Sequence, residues 1–291
     1  MLSILIPCYN CAIDALVQKL SDEIQQKQHP AEIIVCDDAS EHSPNLSDTL
    51  TNHSWIHLIR NEKNLGRTGT RHRLAQEAQF QSLLFLDADV LPANEDFLDH
   101  YMNHVGKNKV VYGGISYSKH KPAHHQRLRW AYGRKREAKS AKQRMGSPYV
   151  ISQNLMMDKE LFLSINTATV NKYGWDNVFS YQIAALNESI THIDNPVIHM
   201  GLEDAKTYLD KVIQSTNTLV WAQHRQLISA EFTQLQKRFT RLNALGLARP
   251  LRWAIRPFLP LIKWQLSSAR PMIKLLDLYK FYYFSQKKYQ R

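Results

Sequence analysis

What the sequence has little of narrows the field first. Only three cysteines occur: Cys8 and Cys11 as one C-x-x-C pair, and Cys36 alone. A structural zinc site needs a further Cys or His pair at ligand spacing, and none is present. The three therefore read as small reduced thiols in a cytosolic core, not as a redox couple. No run of about 18 uncharged apolar residues occurs, which predicts no spanning helix. Met1 leads straight into an apolar segment without a basic leader or cleavage site, which predicts no secretory signal. Nor is there a Gly-Lys-Ser/Thr ending that would make a Walker-type phosphate loop.

What is present fits a globular protein. The 291 residues suffice for one large domain, or one domain with an extension, and 44% apolar with 22% charged is ordinary composition. The net charge of +11 is unevenly spread. Residues 204–291 hold 16 Lys and Arg against 4 Asp and Glu, whereas residues 1–203 are close to neutral. A basic tail on a neutral body points to an anionic surface partner, membrane or nucleic acid.

Residues 83–90 read Leu-Leu-Phe-Leu-Asp-Ala-Asp-Val. An apolar run of this kind is a strand buried on both faces, and it ends in Asp87 and Asp89. Open α/β sheets place ligands at the carboxyl ends of their strands. Two carboxylates crowded there repel each other unless a cation lies between them, and a hard divalent ion that keeps positions open for phosphates suits that place. Alone, Asp-x-Asp is equally a pair of solvated turn residues.

The rest of the first hundred residues alternates strand and helix. Residues 2–6 form an apolar strand stopped by Pro7, 14–28 have helical spacing at Leu16, Leu20 and Ile24, and 32–36 form a second buried strand ending in Asp37 and Asp38. A short helix over 43–52, a strand over 56–59, a helix over 71–81 and the 83–86 strand follow. This order predicts a mostly parallel, right-handed α/β sheet with helices on both faces.

Four motifs stand in order: Ser3-Ile4-Leu5-Ile6-Pro7-Cys8-Tyr9-Asn10, Ile33-Ile34-Val35-Cys36-Asp37-Asp38-Ala39-Ser40, Asn64-Leu65-Gly66, and Phe85-Leu86-Asp87-Ala88-Asp89. Together they resemble a family-2 glycosyltransferase with the GT-A fold, over about residues 2–100 and more weakly to Gly201. The resemblance implies a GT-A, Rossmann-like catalytic domain over 1–203 and a helical extension over 204–291. It implies sugar transfer, with inversion, from a nucleotide-sugar, a UDP-sugar by preference, to an acceptor hydroxyl, assisted by Mn2+ or Mg2+.

It also assigns residues. Pro7, Tyr9 and Asn10 match the loop under the base, and Asp37 and Asp38 the nucleoside-binding acids; the alternative for both acids is turn capping. Ala39 stands where the family usually has glycine. Asn64, Gly66 and Arg71 match the donor-binding stretch, Arg71 offering a cation to the diphosphate. Asp87, Ala88 and Asp89 hold the nucleotide and metal, and His199 completes the metal shell or serves as a core histidine. Asn154 matches a residue beneath the donor sugar. Asp176 matches the base that deprotonates the acceptor; it also suits a helix N-terminus leading to Phe179, Ile183 and Leu186, and both readings are compatible. Trp175 stands where the family has Glu. Residues 192–201 read as an edge strand ending in His199.

The segment 119–144 is dense in Lys, Arg and His and reads either as an acceptor-facing lid or as a solvated helix. Residues 204–242 have helical spacing. Beyond Gly246, four prolines divide the chain into short helices where Trp253, Phe258, Leu261 and Trp264 alternate with Arg252, Arg256 and Lys263. This composition predicts an anionic membrane surface as partner through residues 246–291, or packing as a helical subdomain. Nucleic acid fits less well, because no reader motif is present. The expected setting is the cytoplasm at the inner face of the membrane, in bacterial surface polysaccharide or glycolipid synthesis with a glycan or lipid-linked acceptor; an oligomer is compatible with the sequence. Two other readings stand beside it. A nucleotidyltransferase would begin with a Gly-rich loop, which Pro7-Cys8-Tyr9-Asn10 is not. A non-catalytic basic binding protein would need neither Asp89 nor Asp176.

Overall fold

Among the described residues, ten strands follow in chain order: β1 (Leu2–Cys8), β2 (Ala31–Asp37), β3 (Ile56–Arg60), β4 (Ser82–Leu86), β5 (Val90–Pro92), β6 (Val110–Tyr112), β7 (Ile115–Ser116), β8 (Asn154–Asp158), β9 (Thr191–His192) and β10 (Val197–His199). The helices are α1 (Asp14–Lys27), α2 (Gly66–Glu77), α3 (Phe97–Met102), α4 (Arg127–Tyr132), α5 (Ala141–Arg144), α6 (Lys159–Ile165), α7 (Asp176–Ala185), α8 (Ala205–His224), α9 (Gln234–Ala244), α10 (Ala248–Ile255), α11 (Leu259–Leu266) and α12 (Ile273–Tyr289). The computed structural model describes residues 1–42, 50, 52–166 and 170–290, so the short helix expected over 43–52 lies outside the described residues except at its end.

Two compact units interleave along the chain. The first comprises residues 1–118, 137–171 and 186–201, the second 119–136, 172–185 and 202–291. A division at 203 counts 119–136 and 172–185 with the sheet. By compactness they go with the C-terminal helices, because α4 packs there: Tyr132 lies against Tyr208, and Lys280 donates to the Tyr132 hydroxyl at 2.9 Å.

In the first unit, seven strands form a sheet in the order β3-β2-β1-β4-β8-β6-β9. β1, β2, β3 and β4 run parallel, in the register Leu2↔Ala31 and Leu2↔Ser82, while β8 is antiparallel to both β4 and β6. The apolar runs of β1, β2 and β4 are buried end to end, as parallel strands covered on both faces must be, whereas the edge strand β3 leaves Leu58 exposed. The strand order reverses beside β1, so the crevice beyond its carboxyl end is the switch point where such sheets bind ligands. A second, three-stranded sheet places β10 between β5, antiparallel, and β7, parallel. β10 is thus a central strand, where the sequence suggested an edge.

Three boundaries differ from expectation for physical reasons. β1 continues through Pro7 to Cys8, because β4 pairs only with Leu2–Leu5 and leaves Pro7 an open flank, the position a strand proline tolerates. α2 begins at Gly66 and not at 71, because the Asp38 carboxylate accepts the amides of Leu65 and Gly66 at 2.8 and 2.9 Å and so satisfies the helix start from the loop after β2. α7 ends at Ala185, leaving Leu186 exposed and not in the core.

Within the basic segment, Arg144 is buried. Its guanidinium donates to four carbonyls: Tyr112 at 2.9 Å, Ile193 at 2.8 Å, Lys139 at 3.1 Å and Gly113 at 3.2 Å. It also lies over the Tyr112 ring, and Gly114, at φ +90°, leaves it room that a Cβ would fill. This cation ties the end of β6 to the segments that carry Lys139 and Ile193. Arg129 is buried against Tyr208, and Arg136 pairs with Asp277 at 2.7 Å, so this part of the segment is packed in the second unit.

Two predictions follow from packing. Arg144→Met should lower unfolding free energy by roughly 3 kcal/mol, since four carbonyls each lose a charge-assisted hydrogen bond; urea denaturation showing less than about 1 kcal/mol would contradict the clamp. The three cysteines are free thiols, and burial pushes Cys8 and Cys36 up to about 12. At neutral pH iodoacetamide should leave both unmodified in the native protein and label them only after denaturation, as peptide mass mapping would show.

Candidate functional site

The first-unit residues named from the sequence gather at the carboxyl ends of β1, β2 and β4. After β1, Tyr9 presents an exposed ring and Asn10 turns the chain at φ 48°. Asn10 is used internally: its amide donates to Ser40 Oγ at 2.8 Å and its side-chain oxygen accepts from Glu41 N at 3.0 Å. The loop after β1 is therefore fastened to the loop after β2.

Asp37 and Asp38 are both buried with their oxygens engaged. Asp37 accepts from Ser40 N at 3.0 Å and lies 3.5 Å from Arg60 Nε. Besides the two amides at the start of α2, Asp38 accepts from Asn61 Nδ2 at 2.7 Å. Asn64 donates to the Asp38 carbonyl at 3.2 Å. Gly66 is required on two counts: its φ is +70°, and a Cβ would lie 2.1 Å from the Asn171 side chain. Ala39 adopts φ 60° in the same turn, the left-handed conformation that the usual glycine would accept freely.

β4 delivers Asp87 and Asp89, and the structure sends them to different partners. Asp87 forms an ion pair with Arg71, whose Nε remains buried without a partner. Asp89 precedes β5, which is antiparallel to β10 in the register His199↔Val90, and this brings His199 Nε2 to 3.3 Å from Asp89 Oδ2. The ladder extends through Met200 N, which donates to the Asp89 carbonyl at 2.8 Å. Gly201 has no Cβ to spare, since one would sit 2.0 Å from Asp89 Oδ2. Tyr117 presents its ring edge-on to His199 at 5.6 Å. Burial pushes the Asp89 carboxyl up, but the His199 hydrogen bond and charge, and then Arg67, outweigh it and hold Asp89 below its ordinary value. Burial raises the Cys11 thiol, with further contributions from Asp89 and Asp87, so both carboxylates act on the space beside Cys11.

A divalent ion fits this donor pair. An ionised carboxylate and an imidazole suit Mn2+ or Mg2+ with positions left for phosphate oxygens and water, and His199 Nδ1 is buried without a partner. Asp87 does not converge with them. Among the described residues, three possible ligand atoms come together only at Glu23, His29 and Asp99. Lys27 already sits against both of those carboxylates, and Glu23 accepts the Leu98 amide at 2.8 Å at the start of α3.

Two other residues have different surroundings from those expected. Asn154 is fully buried and spends its amide on the carbonyls of Gly114 and Asn195, both at 2.8 Å, and its oxygen on the Tyr101 hydroxyl at 2.7 Å; it braces the sheet and offers nothing to a sugar. Asp176 belongs to the second unit, at the first turn of α7. Gly174 before it, at φ +85°, lies so close to α8 that a Cβ would meet Ser215 Oγ at 2.3 Å. Sequence reasoning missed Cys11, Arg67, Tyr117 and Gly201, whose positions only the chain's three-dimensional path reveals.

Substitutions at the two turns should move stability in opposite directions. Ala39→Gly should stabilise by about 0.5 to 1 kcal/mol, because relief of left-handed strain exceeds the added backbone entropy. Gly201→Ala should destabilise by about 1 to 3 kcal/mol, as overpacking against Asp89 forces β10 to shift. Urea denaturation of both variants gives the signs.

Comparison with known proteins places these observations. A search of curated protein sequences gives no match. Among solved structures, S. aureus TarS 1-349 is similar with a TM-score of 0.51 and 16% identity, over 99% of this chain and 90% of that one. GalNAc-T7 with UDP, GalNAc and Mn2+ gives 0.50 and 16%, over 68% of this chain and 43% of that one. The mannosyltransferase PcManGT from Pyrobaculum calidifontis, in complex with GDP-Man and Mn2+, gives 0.49 and 18%, over 78% of this chain and 64% of that one. This chain thus spans less than two thirds of the length of the last two. At these identities the likeness is one of fold. The pattern described as Glycosyl transferase family 2 matches residues 3–165, more than half of the chain, and the chain belongs to that family.

Proposed function

We propose that this glycosyltransferase moves a sugar from a UDP-sugar to an acceptor hydroxyl with inversion. The observation that carries the reading is the Asp89–His199 pair, held at the switch point of a family-2 sheet with the rim of β1 and β2 beside it. Tyr9 offers its exposed ring to the base. Pro7 and Asn10 shape that loop, while Asp37, Asp38, Asn64 and Gly66 fix the β2 rim against α2, so that the nucleoside meets a rigid wall. Arg71, steadied by Asp87, directs positive charge toward the diphosphate, and Ala88 carries the chain between the two acids.

Asp89 and His199 would hold a divalent cation, which would supply positive charge to the departing diphosphate. Asp176 accepts the acceptor hydroxyl's proton as that oxygen attacks the anomeric carbon, and displacement from the opposite face inverts the centre. Asp176 lies in the first turn of α7. The acceptor in this reading is a glycan or lipid-linked glycan, met at an anionic membrane face in surface polysaccharide or glycolipid synthesis.

Hydrolysis of UDP-sugars with Mn2+ tests the donor half. Asp89→Ala should lower the rate at least about a hundredfold, and an unchanged rate would remove Asp89 from the site. Asp176→Asn should abolish transfer to acceptor while leaving the thermal shift produced by UDP-sugar and Mn2+ intact. No shift with any UDP or GDP compound would overturn the donor assignment.

A further inference from the structure

The second unit carries an outward face that its core does not use. From α10 through a 3-10 turn to α11 the backbone runs almost continuously helical. Ala248, Ile255, Ile262 and Leu266 point inward and are buried. On the opposite side, Trp253, Leu261 and Trp264 are 72%, 59% and 70% exposed. At about 3.6 residues per turn, positions 253, 257, 261 and 264 fall on one stripe, and Arg249, Arg252, Arg256 and Lys263 fall together along one flank. Large aromatic and aliphatic side chains left this open in a row are not normal surface, and mark a site of interaction.

The charge of the flank identifies the partner. No acid occurs between Glu231 and Asp277, while nine Lys and Arg do. Arg249 and Arg252 lie over the Tyr289 ring at 4.6 and 5.4 Å and Lys263 over Tyr279 at 6.0 Å, and among the described residues none of the four flanking cations has a carboxylate partner. Gln265 braces the following turn, donating to the Arg270 carbonyl at 3.0 Å and accepting the Met272 amide at 2.9 Å, so the stripe is presented on fixed helices. No helix among the described residues is long and apolar enough to cross a membrane.

We infer that the α10–α11 run lies in the plane of an anionic bilayer, with Trp253, Pro257, Leu261 and Trp264 inserted below the headgroups and Arg249, Arg252, Arg256 and Lys263 on lipid phosphates. The inference rests on the membrane-facing reading above and narrows it to one face. Aromatic rings suit the boundary region, and basic side chains beside them gain from the surface potential. A second copy of the chain is a poorer occupant, because it would bring an equally basic surface into contact with this one.

Co-sedimentation with vesicles tests the face. The full chain should bind vesicles containing phosphatidylglycerol, bind pure phosphatidylcholine weakly, and release as salt rises. The triple variant Trp253→Glu, Leu261→Glu, Trp264→Glu should lose at least about tenfold in partitioning, since three inserted side chains become charged. Leu58→Glu, an exposed change on β3, should bind as the native chain does. All four positions are exposed, and unchanged circular dichroism melts and UDP-sugar hydrolysis would verify folding. If the native chain binds no anionic vesicle, the membrane reading falls with the inference, and the sugar-transfer reading stands. If the native chain binds and the triple variant binds equally, this face is wrong and the membrane reading stands. If the native chain is a dimer that the triple variant dissolves, and neither binds vesicles, the stripe belongs to a second copy and the inference is overturned.

Discussion

The pairing of β5 with β10 is the constraint on which the candidate site depends. Asp89 stands one residue before β5, and His199 ends β10, so a three-residue antiparallel register sets carboxylate and imidazole side by side. Nothing local would do so, because the two residues lie 110 apart in sequence. The contact also fixes what surrounds it. Gly201 gives up its side chain to the Asp89 oxygen, and Tyr117 follows β7, the other neighbour of β10. A buried histidine nitrogen left without a partner is costly in a core and tolerable where a ligand completes the environment.

The rim of β1 and β2 works by a different economy. Carboxylates at strand ends usually face solvent or ligand, whereas Asp37 and Asp38 accept backbone amides and an asparagine. Charge-assisted bonds of this kind stiffen loops that lack regular structure. Asp38 in particular replaces the missing side-chain cap of α2, so one residue joins strand, loop and helix. A wall built this way can be rigid before any nucleotide arrives, which reduces the ordering cost of binding.

How far the sequence could be read depended on element length and on whether partners were local. β1, β2 and β4 were legible because strands buried on both faces are unbroken apolar runs, and the acids that follow β2 and β4, taken with the resemblance, pointed to one edge of the sheet. β5, β6, β7 and β9 have two or three residues each, too few to show a period, and without β5 and β7 in view β10 looked like an edge. The start of α2 was hidden because its cap, Asp38, lies in the loop after β2. Arg144 looked like any cation in a basic run, since the carbonyls it serves come from residues 112, 113, 139 and 193. Asn154 was read from its motif as a sugar neighbour, yet its buried amide is wholly consumed by carbonyls that only the fold brings near.

The central place of β10 has an evolutionary corollary. The family pattern ends at residue 165, before β9 and β10, although β5 and β7 have no other partner in their sheet. The border of inherited similarity is therefore not a border of cooperative folding. The segment after α6 is bounded at its far end by a mechanical demand: a short strand must come back to the slot between β5 and β7 to close a sheet opened a hundred residues earlier.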